Sequence, residues 1–253
     1  MRPRLMSTAI SIVLLCALAG FGPESAAGRT GSGPRERVNQ RFTTTAPGSP
    51  TGISFTGTFH GAGDRKSPPP YLRRIVFDPP GSMRYDTSVP DHCTATDAEL
   101  QLMGPAACPP GSRLGGGTIE GLIQVPFAHQ ITFDHFKHPV DILNNADEQI
   151  ILVESEGSTV VRGEIRPDGS VVFTPKACFP VIPVVSCLDD YVVQLKSVTK
   201  VPPYTRVSNG RVRSYATTPA TCPASGFWLT KLRLRWSDGS ADTVASRQPC
   251  KPR

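Results

Sequence analysis

Six of the seven cysteines fall into three close couples, Cys93 with Cys108, Cys178 with Cys187 and Cys222 with Cys250, and long stretches separate one couple from the next. Six thiols allow fifteen pairings, of which the three local ones are the expected set. A closed loop the size of 93–108 contributes about 3 kcal/mol by restricting the unfolded chain. No Cys-x-x-Cys occurs, so neither a zinc ribbon nor a thioredoxin-type redox site is indicated. An even cysteine set of this kind belongs to an oxidising compartment.

The seventh cysteine, Cys16, lies in a segment of different character. Arg2 and Arg4 form a positive start, Ala9 to Phe21 is apolar, and Ser25-Ala26-Ala27 supplies the small residues of a cleavage site. Residues 1–27 therefore read as a signal peptide, with the mature chain starting at Gly28 and secreted, or at least extracytoplasmic. Leu15 stands where a lipoprotein signal needs a small residue before its cysteine, so no lipid attachment is expected. No later stretch approaches the ~20 apolar residues of a membrane-spanning helix. Without Arg2, Arg4 and Glu24 the 27 basic and 21 acidic residues become 25 and 20, a net charge of +5. That charge is too dilute to argue for nucleic acid.

Residues 28–51 are rich in Gly, Ser, Thr, Pro and Arg, with Val38 and Phe42 almost alone as apolar residues, and read as a flexible basic leader. One disulfide-stabilised domain is expected over 52–253. Strands are predicted at 53–59, 71–77, 118–125, 130–136, 149–154, 159–165, 171–174, 191–198, 227–236 and 241–246 from their alternation of apolar and polar residues. The one helix signal lies between Cys93 and Cys108, where Thr96 caps, Glu99 completes a capping box and Gly104 ends the helix. Pro167-Asp168-Gly169 and Asp238-Gly239 mark hairpins. A two-residue turn at Asp238-Gly239 would set Trp236 opposite Ala241, Arg235 opposite Asp242 and Leu232 opposite Ala245. The predicted fold is an all-β, antiparallel β-sandwich, Ig-like or jelly-roll-like, with one short helix in a disulfide loop.

Two stretches, Gly104-Pro-Ala-Ala-Cys-Pro-Pro-Gly-Ser-Arg-Leu-Gly-Gly-Gly117 and Thr218-Pro-Ala-Thr-Cys-Pro-Ala-Ser-Gly-Phe-Trp228, place a cysteine in a CPxxG or CPxxS corner. Together with Phe77-Asp78-Pro79, Cys93 and the ending Ser237-Asp-Gly-Ser through Pro249-Cys250, they resemble a group of uncharacterised exported actinobacterial proteins. The resemblance implies an exported all-β domain with the six-cysteine pattern, and no catalytic residue.

Chemistry is sparse. His129, His135 and His138, with Asp134 and Asp141, suggest a metal, but six strand steps of ~3.3 Å hold His129 and His135 roughly 20 Å apart. Only His135, His138 and Asp141 could converge, if the chain bends near Pro139. Ser197-Val-Thr-Lys200 matches Ser-x-x-Lys, yet lies in an alternating strand pattern rather than on the helix that this chemistry needs. Gly115-Gly116-Gly117 lacks the Lys and the helix of a phosphate loop and reads as close backbone packing or a bulge. Glu154, Glu156, Asp189 and Asp190 are the carboxylates a glycosidase-like hydrolase would draw on. Phe179, Val181, Ile182 and Val184, in the apolar loop between Cys178 and Cys187, are the candidate binding surface.

The expectation is an exported, non-enzymatic binding or envelope-associated protein without a cofactor, its partner an envelope polymer or protein. The rivals are that hydrolase and a purely structural cell-wall protein. N-terminal sequencing of exported material should give a start at or near Gly28, and thiol titration of the denatured protein should find no free thiol. Two or more titratable thiols would refute the disulfide assignment.

Overall fold

The computed structural model describes residues 30–127, 130–154, 158–175 and 192–251, with side chains described throughout except at 124–133. Its strands are β1 (Gly31–Ser32), β2 (Glu36–Phe42), β3 (Ile53–Phe59), β4 (Leu72–Asp78), β5 (Arg84–Tyr85), β6 (Arg113–Phe127), β7 (Gln130–Asn145) and β8 (Glu148–Val153). They continue as β9 (Thr159–Ile165), β10 (Val171–Phe173), β11 (Val192–Val201), β12 (Thr205–Ser208), β13 (Arg211–Ser214), β14 (Ala216–Thr217), β15 (Phe227–Trp236) and β16 (Ala241–Pro249). One helix, α1 (Asp97–Met103), stands between β5 and β6.

Twelve strands form one antiparallel sheet in the order β1-β2-β3-β11-β6-β7-β8-β9-β10-β4-β15-β16, and β12 with β13 and β5 with β14 make two small ribbons. The large sheet curls until β16 reaches β2. The all-β, antiparallel character is as predicted; the sandwich is not, because the sheet is a nearly closed barrel. An alternation of period two is common to both architectures. What separates them is whether the two ends of the sheet, β1–β2 and β16, meet.

They meet through side chains. The amide of Gln40 donates to Ser246 Oγ at 2.9 Å, and that hydroxyl donates to the Gln40 carbonyl at 3.3 Å. The amide of Phe42 donates to Gln248 Oε1, while Gln248 Nε2 donates to the carbonyls of Phe42 at 3.1 Å and Thr44 at 3.2 Å. Gln40 Nε2 in turn donates to Thr230 Oγ1 on β15. At the far end of the seam Arg35 pairs with Asp238 at 3.0 Å and lies over the Trp236 ring.

β2 is thus a barrel strand and not part of a flexible leader. Its burial alternates, with Glu36, Val38, Gln40 and Phe42 covered and Arg37 and Arg41 exposed. Two of the four covered residues are polar, which leaves little hydrophobic period to read. Along β15, likewise, Trp228, Thr230, Leu232, Leu234 and Trp236 are buried while Lys231, Arg233 and Arg235 are exposed. Cations outside and apolar groups inside are the reverse of a membrane barrel's lipid-facing band. Among the described residues no helix is long and apolar enough to cross a membrane.

The hairpin register is corrected by one residue. Arg235 pairs with Ala241 and Leu232 with Val244, so the turn is the three residues Ser237-Asp238-Gly239, with Gly239 at φ 82°. The two-residue turn would have turned Arg247 inward with Ala245. The observed register buries Val244, Ser246 and Gln248 and leaves Arg247 outside. At Pro167-Asp168-Gly169 the left-handed glycine is as expected, with φ 83°.

The helix follows its sequence signal, with Thr96 and Glu99 forming the capping box and Gly104 the C-cap. Cys93–Cys108 and Cys222–Cys250 are disulfides, with Cα atoms 4.9 and 5.5 Å apart; Cys178 and Cys187 lie outside the described residues. Leu100 and the Cys93–Cys108 bridge pack on Leu143, Ile150, Leu152 and Val160. This outer layer explains the unbroken apolar run Ile150-Ile151-Leu152-Val153, because β8 is covered on both faces. Arg162 clips the layer down, reaching Asp97 at 2.7 Å, Glu148 at 2.8 Å and the Ala95 carbonyl at 2.9 Å.

Gln248→Leu should cost about 1–3 kcal/mol, since it leaves buried backbone groups of β2 without partners, whereas Arg247→Leu next to it should stay within about 0.5 kcal/mol. Denaturant melts of the two variants check this. Equal midpoints would show that the seam does not carry closure.

Candidate functional site

The inward side chains enclose a cavity of about 170 Å³. Its walls come from nearly every strand of the barrel: Phe55 on β3, Phe77 on β4, Phe136 and Val140 on β7, Ile151 and Val153 on β8, Val161 on β9 and Phe173 on β10. Cross-strand neighbours share the lining, as the register requires: Ile151 pairs with Val161 and Val153 with Thr159. Two glycines make room for the rings. A Cβ on Gly121 would meet the Phe136 ring at 2.6 Å, and one on Gly163 would meet the Phe173 ring at 2.3 Å.

One end of the barrel is plugged by Met83, Leu114, Ile142, Tyr215 and Trp228, with Cys250 of the second disulfide among them. The Tyr85 and Tyr215 rings lie 5.7 Å apart in this floor. Gln149 Nε2 donates to Tyr215 Oη at 2.6 Å. Burial pushes both tyrosine hydroxyls well above their ordinary range, so they stay protonated.

Among the described residues the lining contains no charged side chain. Its polar members are Gln40, Tyr85, Gln149, Thr159, Gln194, Ser197, Thr199 and Thr230. Thr159 Oγ1 is buried and has no hydrogen-bond partner. A bulge in β11 between Gln194 and Lys196 sets the others on that strand. It lets Gln194, Ser197 and Thr199 all face inward, and puts Lys196 outside, 3.5 Å from Glu120. Strict alternation would have sent Lys196 into the cavity with Gln194.

No family model, curated protein or solved structure matches the chain.

Of the residues singled out in the sequence, Phe179, Val181, Ile182 and Val184 lie outside the described residues, as do His129, Glu156, Asp189 and Asp190. The bend at Pro139 that a metal site would need is not there. β7 pairs with β6 in unbroken register from Asp141 to Gln130, with Pro139 opposite Thr118. His135, exposed, and His138, three residues further along the strand, face opposite sides, and His138 stacks on Phe136. Among the described residues no three metal-ligating groups converge. Ser197 and Lys200 likewise point to opposite faces of β11, as expected of a strand. At Gly115 and Gly117 a Cβ would collide with the carbonyls of Lys200 and Val198, the close backbone approach that Gly115-Gly116-Gly117 suggested.

The sequence reading missed the partner of Glu154, which is Asp141, buried at 1 % exposure and ion-paired with Arg113. The hydrogen bond to Asp141 raises the Glu154 carboxyl above its ordinary value; burial and the Asp141 charge act the same way, and Arg113 opposes them. Two carboxyl groups form that bond only while one holds a proton. Nothing in the local sequence shows it, since twelve residues and a strand turn intervene.

A carboxyl whose folded value is raised stabilises the fold below its unfolded value, about 4.3, and loses that contribution as pH rises through the folded value. Glu154→Gln keeps a donor toward Asp141 at every pH. The variant should therefore melt above the wild type at pH 7, with the difference vanishing below about pH 4. Parallel melting curves across this range would show that the pair is not formed.

Proposed function

We propose that this protein is an exported, non-enzymatic binding protein that holds a small apolar molecule inside its barrel. The observation that carries the reading is the cavity itself, walled mainly by aromatic and aliphatic side chains and, among the described residues, without a charge. An apolar cavity of ~150 Å³ stays dry and takes up benzene, while drug-sized ligands need roughly 300–1,000 Å³. At about 170 Å³ the volume suits one six-membered ring with a short substituent. Placement outside the cytoplasm is supported by the two disulfides and by the signal-like residues 1–27. Kinship with exported actinobacterial proteins belongs to the same proposal. A binding role is preferred to hydrolysis because Glu154 is engaged by Asp141 and Arg113 rather than presented to the cavity.

Toluene is a suitable probe. Saturating it at about a hundred times its dissociation constant should stabilise the protein by about 2.7 kcal/mol, a rise of several degrees in melting temperature. Val161→Phe, which fills the space from β9, should fold and lose the response; Thr199→Leu fills it from β11 and serves where the first does not fold. No rise in the wild type, or an unchanged rise in both filled variants, would refute the reading.

A further inference from the structure

We infer that the cavity takes a neutral molecule carrying a hydroxyl or carbonyl group, bound by the inward side chains Gln194, Ser197 and Thr199 of β11; the inference rests on the cavity being a ligand site. These three make one wall of the barrel polar, whereas β8, β9, β10 and β4 contribute Ile151, Val153, Val161, Phe173 and Phe77. None of the three side chains takes a hydrogen-bond partner within the described chain, and Ser197 is buried at 8 % exposure. Their inward direction depends on the bulge between Gln194 and Lys196, which replaces a lysine in the lining by two hydroxyls. Ser197 and Thr199, two residues apart on one face, stand roughly 6–7 Å from each other, close to the span of one ring.

Thr159 is an independent sign that the lining's hydrogen-bonding capacity is not met from within. Its Oγ1 is covered, borders the cavity and has no partner. Buried polar atoms of native proteins are ordinarily satisfied, by protein, water or ligand. By contrast Gln40 and Thr230 engage each other, and Gln149 engages Tyr215. A ligand meeting the β11 groups must bring a carbonyl, a hydroxyl or both, since Gln194 offers a donor and an acceptor and each hydroxyl either role. It must be neutral there, because the described lining residues hold no opposite charge to compensate an ion taken out of water.

Isothermal titration with toluene, p-cresol and p-toluate separates the parts. In the wild type p-cresol should bind about fivefold to tenfold more tightly than toluene, the value of one added hydrogen bond, and p-toluate at least about a hundredfold more weakly than p-cresol. Gln194→Leu/Thr199→Val should bring p-cresol down to the affinity of toluene, and a cooperative melt shows that the variant is folded. Thr159→Val should retain at least part of the advantage; if it alone removes all of it, the assignment to β11 is wrong. Toluene binding with no gain for p-cresol, or tight binding of p-toluate, overturns this inference and leaves the cavity standing as a site. Absence of binding by all three removes the cavity reading itself.

Discussion

Gln248 and Ser246 stand in for a missing row of backbone hydrogen bonds. A sheet that curls but does not close exposes two edges, each a line of unsatisfied amides and carbonyls. Here β2 is satisfied on that side by a carboxamide and a hydroxyl from β16, so closure is made by four side chains, Gln40, Thr230, Ser246 and Gln248, all of them buried. The interior then needs no second sheet to cover it. Everything inside, from the aromatic wall to the cavity, exists because those polar residues occupy positions where an apolar pattern would have placed hydrophobic ones.

Closure alone would give a filled core or an empty one. The volume left open reflects a balance between rings and glycines. Phe136 and Phe173 pack directly against Gly121 and Gly163, into space that a Cβ would fill. The floor is filled by Tyr215, Trp228 and their neighbours and pinned by Cys222–Cys250. The outer face of β8, with Leu143 of β7 and Val160 of β9 beside it, is shielded by α1 and the Cys93–Cys108 bridge, which lets β8 be apolar on both sides. The layer stiffens one wall while the bulge in β11 shapes another.

Legibility in the sequence followed the range of the interaction that decides each feature. The helix ends were readable because Thr96, Glu99 and Gly104 act within one turn. The limits of β3, β9 and β15 were readable from alternation bounded by Gly, Pro or Asp. β2 was missed since Glu36 and Gln40 break its period, and β12–β13 since Arg206, Arg211 and Arg213 alternate with only two valines, although Asn209-Gly210 between them adopts left-handed φ values of 51° and 71°. The inward face of β15 was right, but the register, and with it the inward face of β16, was wrong, because parity depends on one turn residue. The cavity was illegible: whether Ser197 points in or out turns on a bulge, and a bulge leaves no mark in a pattern of residue types.

The seam also orders events in time. Gln40 and Phe42 meet Ser246 and Gln248 across 206 residues of chain. Contacts this distant in sequence form slowly, because the loop they close must first lose its freedom. The barrel has no closed form until β16 has met β2. Until then the strands between them can pair with their neighbours, but the interior stays open along one seam, and a single late contact turns an open sheet into a closed wall.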